Sequence, residues 1–216
     1  MTHVVRFTFN PFQENTYLLY DDTKECVIVD PGCYDAAEKQ ELVNFIAKNE
    51  LKPVRLLNTH CHIDHVFGNK FVADTYGLQL EIHAGEVPVL DAVERVAMMY
   101  GIAYPEKSPA PGRFIEEGEE IKFGNTTLKT LFTPGHSPAS VSFYCAAEKF
   151  VIAGDVLFER SIGRTDLPGG SMPVLLQSIR KQFFPLGDEV KVYPGHGRAT
   201  TVGEERKENP FLNGAF

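Results

Sequence analysis

Apolar and β-branched residues gather along the chain in short runs that stop at turn residues. TYLLY (16–20), CVIVDPG (26–32), VRLLNTH (54–60), LQLEIH (78–83), TTLKTLFTPGH (126–136), SVSFYC (140–145), KFVIAGD (149–155) and VKVYPGH (190–196) have the length and composition of strands. Between them the spacing changes to that of helices. Asp35 followed by Glu38 predicts a capping box ahead of Leu42, Phe45 and Ile46. EVPVLDAVERVAMMYG (86–101) opens with an acidic residue and an early proline and stops at Gly101. Ser171 and Pro173 predict the first turn of a helix with Leu175, Ile179 and Phe183 on one face. Interleaved strands and helices place the chain in the α/β (mixed α+β) class, with sheets buried under helices. AYPEKSPAPGRF (103–114) is the proline-rich connection, and it reads as a long loop because strands resume directly beyond it. Residues 1–216 are therefore expected to form a single domain.

Composition narrows the classes. At 216 residues, 43% hydrophobic and 23% charged, the chain can bury one sizeable core. A net charge of −8 without a basic block argues against nucleic acid as a partner. No run has the apolar length of a membrane span, and MTHVVRFTFNPF lacks the basic and apolar regions of a secretion signal, so no membrane partner and a cytoplasmic location are expected. Cys26, Cys33, Cys61 and Cys145 have no framework spacing and are expected to be reduced thiols.

The chemistry concentrates in NTHCHIDHVFGN (58–69), where three histidines, an aspartate and a cysteine fall within His60–His65. Alternate residues of an extended chain share a face, so His60 and His62 can point into one site. Asp64 keeps that parity and His65 does not; a strand ending near His60 and turning into a helix would swing His65 back beside Asp64. Four donors from so short a segment would strain around one ion, so the stretch predicts two adjacent ions. The spacing is not that of a zincin helix or a zinc finger. Cys61 has the opposite parity and reads as a small buried apolar residue. Further donors stand at strand ends, His136, Asp155 and His196, each preceded by a glycine expected to let backbone approach the ions. Asp155 can bridge two ions through its two oxygens. Imidazole and carboxylate donors without thiolate suit an open, catalytic site, with zinc first and iron or manganese as alternatives. His3 and His83 fall outside the pattern and are expected on the surface or in structural roles, and Tyr193 as a packing residue.

THCHIDH, followed in order by His136, Asp155 and His196, resembles the signature of the metallo-β-lactamase superfamily. ENTYLLY, VIVDPG, AGDVLFERSIGRTDLPGG, YPGHG and ENPFL extend the resemblance over essentially the whole chain. It implies a four-layer αββα sandwich with the metals at one edge, between the sheets. Carried onto this chain, it gives His60, His62 and His136 to the first divalent ion, Asp64, His65 and His196 to the second, and Asp155 to both. Asp155 stands where antibiotic-hydrolysing members place a cysteine, which argues against β-lactam hydrolysis. GDVLFERSIGRTDLPGG is most similar to the glyoxalase II-like (hydroxyacylglutathione hydrolase-type) branch, in particular its short bacterial members. Twenty residues follow His196, so the helical C-terminal domain with which full-length glyoxalase II enzymes help grip glutathione is not expected. Arg164 falls at a basic glutathione contact and is the expected substrate-binding residue; the alternative is an Arg164–Asp166 pair that braces the loop. Arg198 is either a second anion contact or a solvated arginine, the latter being preferred. The implied reaction is hydrolysis of a small-molecule thioester, acyl-glutathione being the model substrate, by a metal-generated hydroxide, with Asp64 and Asp155 as ligands that orient it. The alternatives are a persulfide dioxygenase with one iron on His60, His136 and Asp155, and a non-catalytic metal-binding protein. A metallo-nuclease of the same fold conflicts with the acidic balance.

Overall fold

The computed structural model describes residues 1–104 and 106–214. Pro105, in the proline-rich 103–114 connection, and Ala215 and Phe216, at the end of the expected 1–216 domain, lie outside the described residues. The chain divides into two compact units, Met1–Ile115 with Lys122–Thr127 and Glu116–Ile121 with Leu128–Phe216.

The first unit runs β1 (His3–Phe9), β2 (Glu14–Tyr20), β3 (Glu25–Val29), α1 (Ala36–Lys48), β4 (Lys52–Leu57), α2 (Ile63–Val66), α3 (Asn69–Tyr76), β5 (Leu80–Ile82), α4 (Val87–Tyr100) and β6 (Pro111–Phe114). The strands form one sheet in chain order, antiparallel from β1 to β3 and parallel from β3 to β6; β6 takes the last four residues of the 103–114 connection expected as loop, because they pair with β5. β1 escapes the apolar-run pattern because Arg6 and Thr8 interrupt it, as befits an edge strand with one wetted face. Leu42 and Ile46 of α1 join Leu18, Ile28, Leu56 and Leu80 in a buried core. The box predicted at the start of α1 is only half formed. The Asp35 side chain accepts from Ala37 N and Glu38 N, but the Glu38 carboxylate accepts from Tyr34 N and Asn10 N, both at 2.7 Å. It ties the helix to the preceding chain instead of closing on its own cap. The α4 helix stops at Gly101 in the left-handed conformation, φ 66°, as its sequence predicts.

The second sheet is built from β7 (Glu120–Phe123), β8 (Thr126–Phe132), β9 (Val141–Cys145) and β10 (Phe150–Gly154), then β13 (Lys191–Pro194) and β14 (Thr200–Thr201), in the order β14-β13-β10-β9-β8-β7. Between β10 and β13 lie the short ribbon β11 (Leu157–Phe158) and β12 (Ser161–Ile162) and the helix α5 (Met172–Ser178); α6 (Val202–Glu208) follows β14. α5 widens into a π turn at Ile179–Phe183, and Leu175, Ile179 and Phe183 are all fully buried, the single face expected of them. Ser171 caps nothing with its side chain; its N–H donates to Gly135 O at 2.7 Å. A complete capping box that the apolar runs did not reveal stands at α6, Thr201 with Glu204. Among the described residues no helix is long and apolar enough to cross a membrane.

Candidate metal centre

In the first unit, β4 ends at Leu57, three residues before His60, and the chain turns through Asn58–Cys61 into α2 with His62 at its N-cap position. The turn expected near His60 is therefore present, with an earlier start. It packs the three imidazoles together. His60 and His62 stand 4.8 Å apart and His60 and His65 4.1 Å, centre to centre. Asp64 joins them, its Oδ2 3.7 Å from His65 Nε2. His60 and His65 are almost completely buried, and His62 is half-buried.

A carboxylate not recognised as a site residue from sequence organises this cluster. Asp30 sits at the end of β3, in the left-handed region at φ 50°, and its N–H donates to Leu57 O across the parallel β3–β4 pair. Its Oδ1 accepts from Thr59 N at 2.7 Å and Asn58 Nδ2 at 3.3 Å; its Oδ2 accepts from Thr59 Oγ1 at 2.6 Å. The same Oδ2 lies 3.2 Å from His65 Nδ1, while His60 Nδ1 contacts Thr59 Oγ1 at 3.0 Å. With Nδ1 of each ring held from behind, Nε2 is the nitrogen presented to an ion, the usual way an outer carboxylate or hydroxyl orients a ligating histidine. Asp30, His60 and His65 offer donor atoms within 4.8 Å of one another, and the Asp30 oxygens also accept three hydrogen bonds that fix the carboxylate behind the rings. The signal for it was its place at the end of the buried apolar run 26–29, as Asp155 stands at the end of 150–154.

Glu14 lies deeper, fully buried, with Oε1 3.9 Å from His65 Nδ1. Burial pushes its carboxyl well above the usual range, against the opposing pull of His65. Cys61 is buried as expected: its thiol is pushed far up by burial, and its N–H donates to Glu86 Oε2 at 2.9 Å. All four cysteines are buried.

In the second unit, three separated donors meet. His136 follows β8 in a tight turn, where Gly135 adopts φ 129° and a side chain there would collide with the Leu175 backbone at 2.3 Å. That glycine lets the turn lie directly against α5. His136 Nδ1 donates to Arg164 O at 2.7 Å, which aims Nε2 at Asp155. Asp155 and His196 follow neighbouring strands whose parallel register sets Gly154 beside Pro194. As a result Asp155 Oδ2 lies 3.5 Å from both His136 Nε2 and His196 Nε2. Donors about 2.0–2.1 Å from a tetrahedral ion stand roughly 3.3–3.4 Å apart, so each histidine–aspartate pair has the spacing that one ion would span. Oδ2 of Asp155 thus faces both rings. Gly163, missed in the sequence, makes this possible: a Cβ there would lie 1.9 Å from Asp155 O and 3.1 Å from His136 Cβ. Nitrogen and oxygen donors of this kind fit divalent zinc, iron or manganese.

Arg164 contributes through its carbonyl, and its exposed guanidinium pairs with Asp166 in two hydrogen bonds of 2.8 and 2.7 Å. Arg198 is exposed and paired with Glu159. Tyr193 packs edge-on against Phe150 under the Lys191 ammonium. His3 stacks on Tyr20, and the His83 side chain caps the turn at Ala84–Glu86.

Comparison with known proteins gives matches over nearly the whole chain. The family model of the metallo-beta-lactamase superfamily matches residues 9–196. The hydroxyacylglutathione hydrolase GloC of Haemophilus influenzae is 34% identical over 203 residues, 94% of each chain. The crystal structure of the BLEG-1 B3 metallo-beta-lactamase is 37% identical with a TM-score of 0.88, covering 98% of this chain and 99% of that one. TTHA1623 in a di-iron-bound form is also 37% identical, with a TM-score of 0.86 over 97% of this chain and all of the other.

Proposed function

Because the chain belongs to the metallo-beta-lactamase superfamily, whose metallo-hydrolases are its relatives, we propose that it is a glyoxalase II-like thioester hydrolase with two divalent ions. The ligands are His60, His62, Asp64, His65, His136, Asp155 and His196, divided between the ions as the resemblance implies. The observation that carries the two-ion reading is the single oxygen of Asp155 equidistant from two imidazoles. When bound, the ions lower the pKa of a water toward 7 and polarise the scissile carbonyl. The residues of the chain hold and orient. Thr59 and Asp30 keep the His60 and His65 rings turned Nε2-outward, and the Arg164 carbonyl does so for His136. Asp64 and Asp155 accept hydrogen bonds from the attacking water and fix its direction. Arg164 receives a substrate carboxylate by exchanging Asp166 for it, an exchange of one ion pair for another at an exposed site. Zinc is the first candidate, and the di-iron form of TTHA1623 supports iron as the second.

The test is a panel of acyl-glutathione thioesters on protein of measured metal content. Hydrolysis by the wild type, with activity and metal lost together in His62→Ala, is the expected result; full activity in a metal-depleted His62→Ala variant would refute it. Oxygen uptake on glutathione persulfide by a one-iron protein would establish the dioxygenase alternative instead. A β-lactam belongs in the panel because BLEG-1 is a β-lactamase, and turnover of it would overturn the inference drawn from Asp155.

A further inference from the structure

Asp64 and His65 lie on α2, a helix of one turn. So short a helix leaves its carbonyls without partners in a following turn and cannot hold its own shape. Here three side chains from separate segments take those carbonyls in succession. Asn10 Nδ2 donates to Asp64 O at 3.0 Å, Asn58 Nδ2 to His65 O at 3.0 Å, and Ser108 Oγ to Val66 O at 3.3 Å.

The donor inventory orients the network behind them. Asn58 gives its two amide hydrogens to His65 O and Asp30 Oδ1, so its Oδ1 accepts, from Asn69 Nδ2 at 2.8 Å. Asn69 gives its other hydrogen to Ser108 Oγ at 3.3 Å. The one hydrogen of Ser108 Oγ goes to Val66 O, so Tyr104 Oη is the donor in its 3.2 Å contact with Ser108 Oγ. Tyr104 Oη in turn accepts from Ser108 N at 3.0 Å. Donation thus runs from Tyr104 and Asn69 through Ser108 to the last carbonyl of the ligand helix, and from Asn69 through Asn58 to the carbonyl before it. Asn58, Asn69 and Ser108 are all buried. Asn10 and Asn58 flank strands of the sheet, whereas Tyr104 and Ser108 belong to the proline-rich connection whose role the sequence leaves open. That connection is tied down further by Tyr34 Oη to Ala103 O at 3.0 Å and Lys39 Nζ to Glu106 Oε2 at 2.6 Å.

We propose that this connection is a strap on the ligand helix, with Ser108 and Asn69 as positioning residues that set the orientation of Asp64 and His65 and hence the affinity for the second ion. The proposal rests on the two-ion reading above. The experiment titrates cobalt(II) into the metal-free full-length chain and follows amide hydrogen exchange across residues 62–68. Ser108→Ala is expected to weaken the second cobalt about 10-fold, the lower end for loss of an outer support, to change its visible absorption, and to leave the first cobalt unchanged. Exchange at 62–68 accelerates in the metal-free protein while the rest of the chain keeps the wild-type rate. Ser108→Thr, which keeps the hydroxyl, restores both readouts. Tyr104→Phe, which keeps the ring against Phe67, moves them in the same direction by less and serves if Ser108→Ala fails to fold. Unchanged cobalt affinity and exchange overturn the strap, as does a parallel loss at both ions with faster exchange throughout, which is general destabilisation. A wild type that takes up one cobalt refutes the two-ion reading, and the exchange comparison then decides the strap alone.

Discussion

The two units place the proposed metal donors by opposite means. In the first, His60, His62, Asp64 and His65 come from one segment, so covalent connection brings them near one another, but a turn and a one-turn helix leave their aim open. Their aim depends on buried polar groups remote in sequence: Asp30 behind His65, Thr59 behind His60, and Asn10, Asn58 and Ser108 on the carbonyls of α2. In the second, His136, Asp155 and His196 are far apart in sequence, yet the hydrogen-bonded register of β10 and β13 delivers two of them side by side. A compact motif thus requires the more elaborate support, and a dispersed one inherits its precision from the sheet.

Removing the chief support of the first half is the strongest way to break this comparison. Asp30→Ala leaves Thr59, Asn58 and the His65 ring without their buried acceptor, and should cost on the order of 3 kcal/mol in denaturant unfolding together with metal content. Wild-type metal content in that variant would mean that the segment aims itself. Next in size is Gly163→Ala, which removes no donor side chain and no hydrogen-bonding group. Its methyl group must displace the Asp155 backbone, costing about 2 kcal/mol and lowering metal content; a variant with unchanged melting temperature and metal would show that the register alone places Asp155 and that the close approach of Gly163 is not needed. Asp35→Ala serves as the contrast away from both sets of donors. Loss of the α1 cap should cost about 1 kcal/mol and leave metal binding untouched.

The smallest expected effect is at Asp166, where the hydrogen bonds from Arg164 hold the carboxyl down at about 2. A carboxyl lowered in the folded state keeps its pair above that value and loses it only as pH falls through about 2, so neutral pH leaves the pair intact. Arg164→Ala should return the Asp166 titration, followed by NMR, toward the ordinary value of 3.8. No movement would show that Arg164 is not what holds it.

Much of this was legible in the residues, for reasons that differ from place to place. Strands such as 150–154 announce themselves because burial on both faces demands continuous apolar side chains, whereas β1 has one wetted face and hides. The α4 stop at Gly101 was legible because the left-handed cap selects glycine. The cap at Asp35 was half legible: the aspartate acts locally, but Glu38 answers to Tyr34 and Asn10. Asp30 and Gly163 were missed because a lone aspartate or glycine after a strand has many uses, and theirs is defined by partners distant in the chain.

By itself the sequence determined which side chains can bind metal, since donor chemistry belongs to the residue type, and which runs become strands, since alternation and burial act over a few residues. Only the tertiary structure decided which ring nitrogen faces forward, that one oxygen of Asp155 serves two histidines, and that the proline-rich connection reaches the ligand helix through Ser108. Those are relations between atoms held by hydrogen bonds of particular length and direction, and such geometry exists only once distant segments have packed.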